Sequence, residues 1–183
     1  MSDRITLSEA IKFHGHLGPY LILGILAGEL ALRRMGYKKY FDLEIKVWGA
    51  NRKPKSCLID GLQLSTGATY GKGNIHKLDG RKIKIEFFNS HNNKKFIRSR
   101  TENLEPSQAR DELRGRFSIN RDRLRPKGQS SRRLILRFRE SLIQRLEETK
   151  IHRDSELLAK KLYKIDSHKL FNLQLIPRHI NSG

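Results

Sequence analysis

The sequence predicts an α+β fold, a layered mixed sheet with helices, plus C-terminal helices. Three observations carry that expectation. An apolar stretch over residues 20–32 has helical spacing and is followed by an alternating stretch over 42–49. Residues 57–66 return to a helical pattern, and 82–89 return to alternation. Apolar residues concentrate in 20–32 and 42–88 and thin out over 89–133, so a core can form although only 37% of the chain is hydrophobic.

Taken in order, Ser8 or Thr6 can cap a short first helix with Glu9 near its start. That helix ends at His14-Gly15-His16, where glycine breaks the period, and Pro19 suits the first turn of a second helix. The second helix runs to about Arg34, with Gly36 as its stop. Gly24 and Gly28, four residues apart, leave room for another backbone to approach. In DLEIKVWG, Leu43, Ile45 and Val47 point one way, as in a half-buried strand. A basic loop, NRKPKS, leads to Ser56, a candidate cap for a third helix, CLIDGLQLST, which Gly67 ends. The glycine-rich loop ATYGKGNIHKLDG comes next. KIKIEFFN reads as a strand, HNN as a turn and KKFIRSRT as its hairpin partner. These elements define an α+β domain over 1–104.

Residues 105–183 read as a basic, mostly helical extension. A helix is expected near 107–114, followed by a basic connector containing Pro126 and Gly128. Ile135, Phe138, Leu142 and Leu146 form an amphipathic stripe over 131–149, and Leu157, Leu158 and Leu162 repeat it over 154–164.

Composition excludes several classes. Cys57 is the single cysteine, so an intramolecular disulfide framework, a zinc ribbon and a four-cysteine iron–sulfur site are all ruled out within one chain. The N-terminus lacks the apolar core of a signal peptide. The longest apolar run is interrupted by Glu29 and falls short of the roughly 20 residues of a membrane span. A cytoplasmic protein without a membrane partner is expected. The formal charge of +19 arises along the whole chain and attracts polyanions without selecting one.

Few residues can carry chemistry. His14 and His16 flank a glycine between two helices, and two imidazoles so placed can converge on a metal ion or a polar substrate; a hydrogen-bonded structural role is the alternative for each. Cys57 falls at the first turn of its helix, where the helix N-terminus and Arg52, Lys53 and Lys55 favour a thiolate; a small core residue is the alternative. Asp60, three residues on, can orient a histidine, bind metal or complement the helix start. Thr66, Thr69, Lys72 and Asn74 stand in a loop that can present N–H groups and an ammonium to an anion, or simply turn the chain. The spacing is not that of a P-loop, and no nucleotide cofactor is expected.

Together these segments are more specific. FHGHLGPY followed by SCLIDGLQLSTGATYGKGNI resembles the FmdE-like family of proteins related to formylmethanofuran dehydrogenase. Cys57, Asp60, Gly61, Gln63, Thr66, Gly67, Thr69, Gly71, Lys72, Gly73 and Asn74 stand in register with that family's second segment, and the likeness covers about residues 6–104. It implies an α+β domain of the kind shared with the substrate domain of glyceraldehyde-3-phosphate dehydrogenase, a homodimer, and a metal site, often zinc, with His14, His16 and Cys57 as ligands. Asp60 would neighbour that site, and Thr66 and the glycine loop would shape its pocket. Two departures stand out: Gly18 occupies a cysteine position of the family pattern, and a C-terminal Cys-x-x-Cys module is missing.

The leading expectation is a metal-associated accessory or enzyme-like protein acting with a small-molecule or protein partner, with Cys57 and Asp60 as candidate catalytic groups. It is not the molybdenum or tungsten subunit of formylmethanofuran dehydrogenase. The alternative is a basic module binding nucleic acid or an acidic partner through residues 110–139. A structural subunit presenting the 131–149 stripe is a third reading.

Overall fold

The computed structural model describes residues 4–40, 43–89, 132–151 and 154–177. Among them, helices α1 (Leu7–His14) and α2 (Pro19–Met35) precede strand β1 (Leu43–Trp48), helix α3 (Cys57–Thr66) and strands β2 (Ile75–Leu78) and β3 (Lys84–Asn89). Strand β4 (Arg132–Phe138), helices α4 (Glu140–Ile151) and α5 (Ser155–Lys164), a 3-10 turn (Ser167–Lys169) and strand β5 (Phe171–Pro177) complete the order.

Local chemistry sets the helix ends. The Thr6 hydroxyl accepts from the Glu9 N–H at 3.2 Å while the Glu9 carboxylate accepts from the Thr6 N–H at 2.7 Å, a reciprocal capping box. These bonds hold the Glu9 carboxyl below its ordinary value. Of the two candidate caps, Thr6 is the one used. Thr6→Ala is expected to lower stability by about 1 kcal/mol. Thermal denaturation checks this, and an unchanged midpoint would count against the cap. Pro19 opens α2, and Gly36 closes it in the left-handed conformation at φ 65°. Ser56 sits at the N-cap position of α3 in a helical conformation and makes no side-chain cap, contrary to expectation.

The strands form one mixed sheet in the order β2-β1-β3-β4-β5. β1 and β2 run parallel, which requires a crossover, and α3 is that crossover. The remaining pairs are antiparallel. Ile45 faces Phe87 and Val47 faces Ile85, while Phe87 and Ile85 in turn face Leu134 and Leu136. All six are buried. At the far end Phe138 faces Phe171, their rings 5.6 Å apart.

Helix α2 is buried almost all round, which marks it as the central helix of the domain. On one side it meets α3 at very short range. A Cβ on Gly24 would lie 2.1 Å from the Leu58 carbonyl oxygen, and one on Gly61 would lie 2.1 Å from the Leu21 carbonyl oxygen. The expected close approach at Gly24 and Gly28 is therefore real, and its partner is the helix carrying Cys57. α2 also packs on α5. The Tyr163 hydroxyl donates to the Ile5 carbonyl at 2.8 Å, and the Arg4 guanidinium stacks on the Tyr163 ring at 4.0 Å. The Ile5 N–H donates to Glu29 of α2. The C-terminal segment is thus docked on the N-terminal one, and both contribute to one core.

Three expectations about elements need correction. The stripe over 131–149 is helical only from Glu140. Residues 132–138 are a strand, because Leu134, Leu136 and Phe138 alternate and the apolar edge of β3 is there to receive them. β2 lies within the stretch expected to be a glycine-rich loop. β3 pairs with β4 on the edge expected for a hairpin partner, and residues 94–101, the expected partner, lie outside the described residues. So do the helix near 107–114 and residues 110–131 of the basic stretch 110–139. In α5, Leu158, Ala159 and Leu162 face inward, whereas Leu157 is 49% exposed. Residues 105–183 supply two of the five strands in the sheet begun by residues 1–104.

Candidate metal centre

The first piece of the site is the break between α1 and α2. Gly15 ends α1 at φ 90°, a conformation costly for residues with a Cβ, and donates its N–H to the Ile11 carbonyl at 2.7 Å. The two helices bend by 119° across this break. His14, the last residue of α1, and His16 in the turn are thereby folded toward each other, with ring centroids 4.5 Å apart.

The second piece is the start of α3. The glycine contacts bring its backbone against α2, which follows directly from the histidine turn. Cys57, the first residue of α3, comes next to both rings: ligand atoms of His14, His16 and Cys57 lie within 4.8 Å of one another. The structure joins the two distant segments that the sequence singled out.

Asp60, one turn into α3, bonds His14. Its Oδ2 lies 2.7 Å from His14 Nδ1, and its Oδ1 accepts from Gln63 Nε2 at 3.2 Å. Its geometry shows a bond to a histidine, and its place in the first turn of α3 also complements the helix start. His14 is nearly buried, with 10% of its side chain exposed. Its Nε2 is buried and has no hydrogen-bond partner among the described residues. An orphaned buried ring nitrogen beside a second imidazole and a thiol is the donor chemistry that a soft or borderline divalent cation satisfies.

The Cys57 thiol differs from expectation. Burial pushes it above its ordinary value, and the Asp60 charge adds to that. Its own backbone N–H and Lys53 pull the other way and lose. The reason is geometric: Arg52 and Lys53 are exposed, so water screens them, while Asp60 lies on the same helix one turn away. Burial and then Asp60 also raise the Tyr70 phenol.

Gly18 lies on the rim of the group, and a Cβ there would stand 3.5 Å from His16 Nε2. The four loop residues make hydrogen bonds of their own. The Thr66 hydroxyl donates to the Leu62 carbonyl at 2.6 Å and accepts from the Ala68 N–H at 3.1 Å. Asn74 Oδ1 accepts from the Thr69 N–H at 2.8 Å, and the Thr69 hydroxyl accepts from the Lys72 N–H at 3.2 Å. The Lys72 ammonium donates to the carbonyls of Gly67 and Tyr40. Burial lowers that ammonium's pKa. These polar atoms serve the loop itself. Gln63, in register with the family segment but given no role there, bonds Asp60, and its position three residues after Asp60 is a usable signal.

No single helix among the described residues is long and apolar enough to cross a membrane. A curated relative, described as a probable S-adenosyl-L-methionine-binding protein of Archaeoglobus fulgidus, is 33% identical over 76 residues. The match covers 40% of this chain and 20% of that protein, so the chain spans about one fifth of the relative's length. Residues 13–172 match the family described as FmdE, Molybdenum formylmethanofuran dehydrogenase operon, a span that contains the His14–His16 turn, Cys57 and four of the five strands in full. With most of its length matched, and with its histidine turn and helix cysteine gathered at one place, this chain belongs to the FmdE family.

Proposed function

We propose that this protein holds a divalent ion, with zinc as the favoured metal, through His14, His16 and Cys57. On this reading it serves as an accessory or enzyme-like member associated with formylmethanofuran dehydrogenase. The observation that carries the reading is the buried, unpartnered Nε2 of His14, turned away from Asp60 and standing with His16 and Cys57. Asp60 keeps a proton on Nδ1, which leaves the Nε2 lone pair free to ligate. Three protein donors beside Gly18 match the open arrangement of a catalytic zinc site better than the closed four-ligand arrangement of a structural one. A metal ion with an open position supplies polarisation of a bound water or carbonyl oxygen.

The partner is a small molecule or a protein subunit. The role is not that of the molybdenum or tungsten subunit, since one cysteine cannot hold iron–sulfur clusters. By the same family argument we propose a homodimer. A solution mass near the 21.3 kDa of one chain would reject it.

Metal analysis of protein purified without chelators tests the site. The wild type should carry an ion per chain and Cys57→Ser should carry almost none. Near-zero metal in both, even after incubation with zinc, would remove the reading.

A further inference from the structure

We propose that Gln63 is a positioning residue of the metal site, and that the loop from Ala68 to Asn74 is the brace that fixes it. This rests on the metal reading of His14, His16 and Cys57 but concerns residues outside that ligand set.

A chain of hydrogen bonds runs from the loop to the ring, and Gln63 holds the carboxylate that faces His14. The Tyr70 backbone N–H can only donate, and it lies 3.2 Å from Gln63 Oε1. That oxygen is therefore the acceptor, and the amide orientation follows. Gln63 Nε2 then faces Asp60 Oδ1 at 3.2 Å as a donor. Asp60 has its other oxygen left for His14 Nδ1 at 2.7 Å. A carboxylate oxygen accepts, so Nδ1 carries the ring proton. The lone pair is thereby placed on Nε2, the buried atom without a partner. Reversing the Gln63 amide would set two oxygens against each other at Asp60 and two N–H groups against each other at Tyr70.

The brace explains why the loop spends so many polar groups on itself. Asn74 links Thr69 N–H to the Leu43 carbonyl of β1, at 2.8 and 3.2 Å. Gly73 N–H donates to the Tyr70 carbonyl at 2.9 Å. Lys72 ties the loop to the carbonyls of Gly67 and Tyr40. Tyr70 N–H is thus held from the start of β1 through Asn74, and from the end of α3 through Lys72. The residues read from sequence as an anion cradle have a second use here: they carry the position of β1 to a metal ligand.

Two measurements test this. The first needs no variant: nitrogen chemical shifts of the His14 ring in metal-free protein should show the proton on Nδ1. A proton on Nε2 would overturn the inference by itself. The second is cobalt(II) titration, read by thiolate-to-metal absorption. Gln63→Met removes both amide bonds, and Gln63→Glu keeps the acceptor for Tyr70 while placing a second carboxylate beside Asp60. Each should weaken cobalt binding severalfold, short of the about 10- to 100-fold usual for losing a ligand's direct outer partner such as Asp60. Each frees the Asp60 carboxylate to turn away from the ring, so the share of the Nδ1–H form of His14 should fall. Wild-type affinity and an unchanged ring in a folded variant would overturn it. Should the wild type bind no cobalt, the metal reading fails, while the ring measurement still decides whether Gln63 sets the tautomer.

Discussion

Gly61→Ala is expected to destabilise the protein by about 3 kcal/mol, at the upper end of the cost of overpacking a core. The added methyl would stand 2.1 Å from the Leu21 carbonyl oxygen, 2.8 Å from the Ile25 nitrogen and 2.9 Å from the Gly24 Cα. All three are backbone atoms of α2, so no side chain can rotate away and the helices must separate. For a chain of this size the loss corresponds to a fall of about 6–12 °C in thermal midpoint. Gly71→Ala is the control, since a Cβ there meets nothing within 4 Å. A shift at position 61 as small as that at 71 would show that α2 and α3 pack less tightly than described. Gly24→Ala should act similarly, and the double variant should lose less than the sum, because one widening of the same interface accommodates both methyls. Helix separation also moves Cys57 and Asp60 away from the histidine turn, so metal affinity should fall with stability.

The second large effect concerns pH. The Cys57 thiol is held above its ordinary value by burial and then by Asp60. A metal takes the thiolate, so at neutral pH binding must release the thiol proton. Zinc affinity should therefore rise about tenfold for each unit of pH, until the thiol itself begins to titrate. Lowering the pH by two units from the alkaline side, from about 9 to about 7, should weaken binding about 100-fold, with a proton released per ion in calorimetry across two buffers. Without metal the sign is also defined. A thiol raised in the folded state favours folding while protonated, and that contribution is lost as pH climbs through the folded value. Cys57→Ser should abolish the proton release and reduce affinity beyond the roughly 100-fold typical of an outer partner. Gly18→Cys should act in the opposite direction: the backbone at φ −130° accepts a side chain, and a Cβ there lies 3.5 Å from His16 Nε2, so a further donor is available. pH-independent binding would refute the thiolate's part in the site.

Much of the architecture is legible directly. α3 has the expected bounds because Gly67 ends a clear helical period that opens at Cys57, although Ser56 makes no cap, and α2 because Pro19 and Gly36 mark its ends. β1 and β3 alternate cleanly. β2 escapes such a reading because four residues with a single fully buried apolar position, Ile75, carry almost no period of their own. β4 escapes it because Ile135, Phe138, Leu142 and Leu146 fit a helix as well as a strand followed by a helix. Only the apolar edge of β3 decides between them.

The candidate site divides in the same way. Local sequence alone determined which side chains could matter: a glycine between two histidines ends a helix, and a lone cysteine opens another. Tertiary structure decided the rest. Contact of Gly24 and Gly61 brings those helix ends together, burial and then Asp60 outweigh the helix start at the thiol, and Gln63 joins the network through the Tyr70 backbone. Periodicity and capping act over a few residues, and a chain reveals them one window at a time. Convergence, burial and charge at a shared site depend on segments about forty positions apart, and their distances exist only once the core has closed.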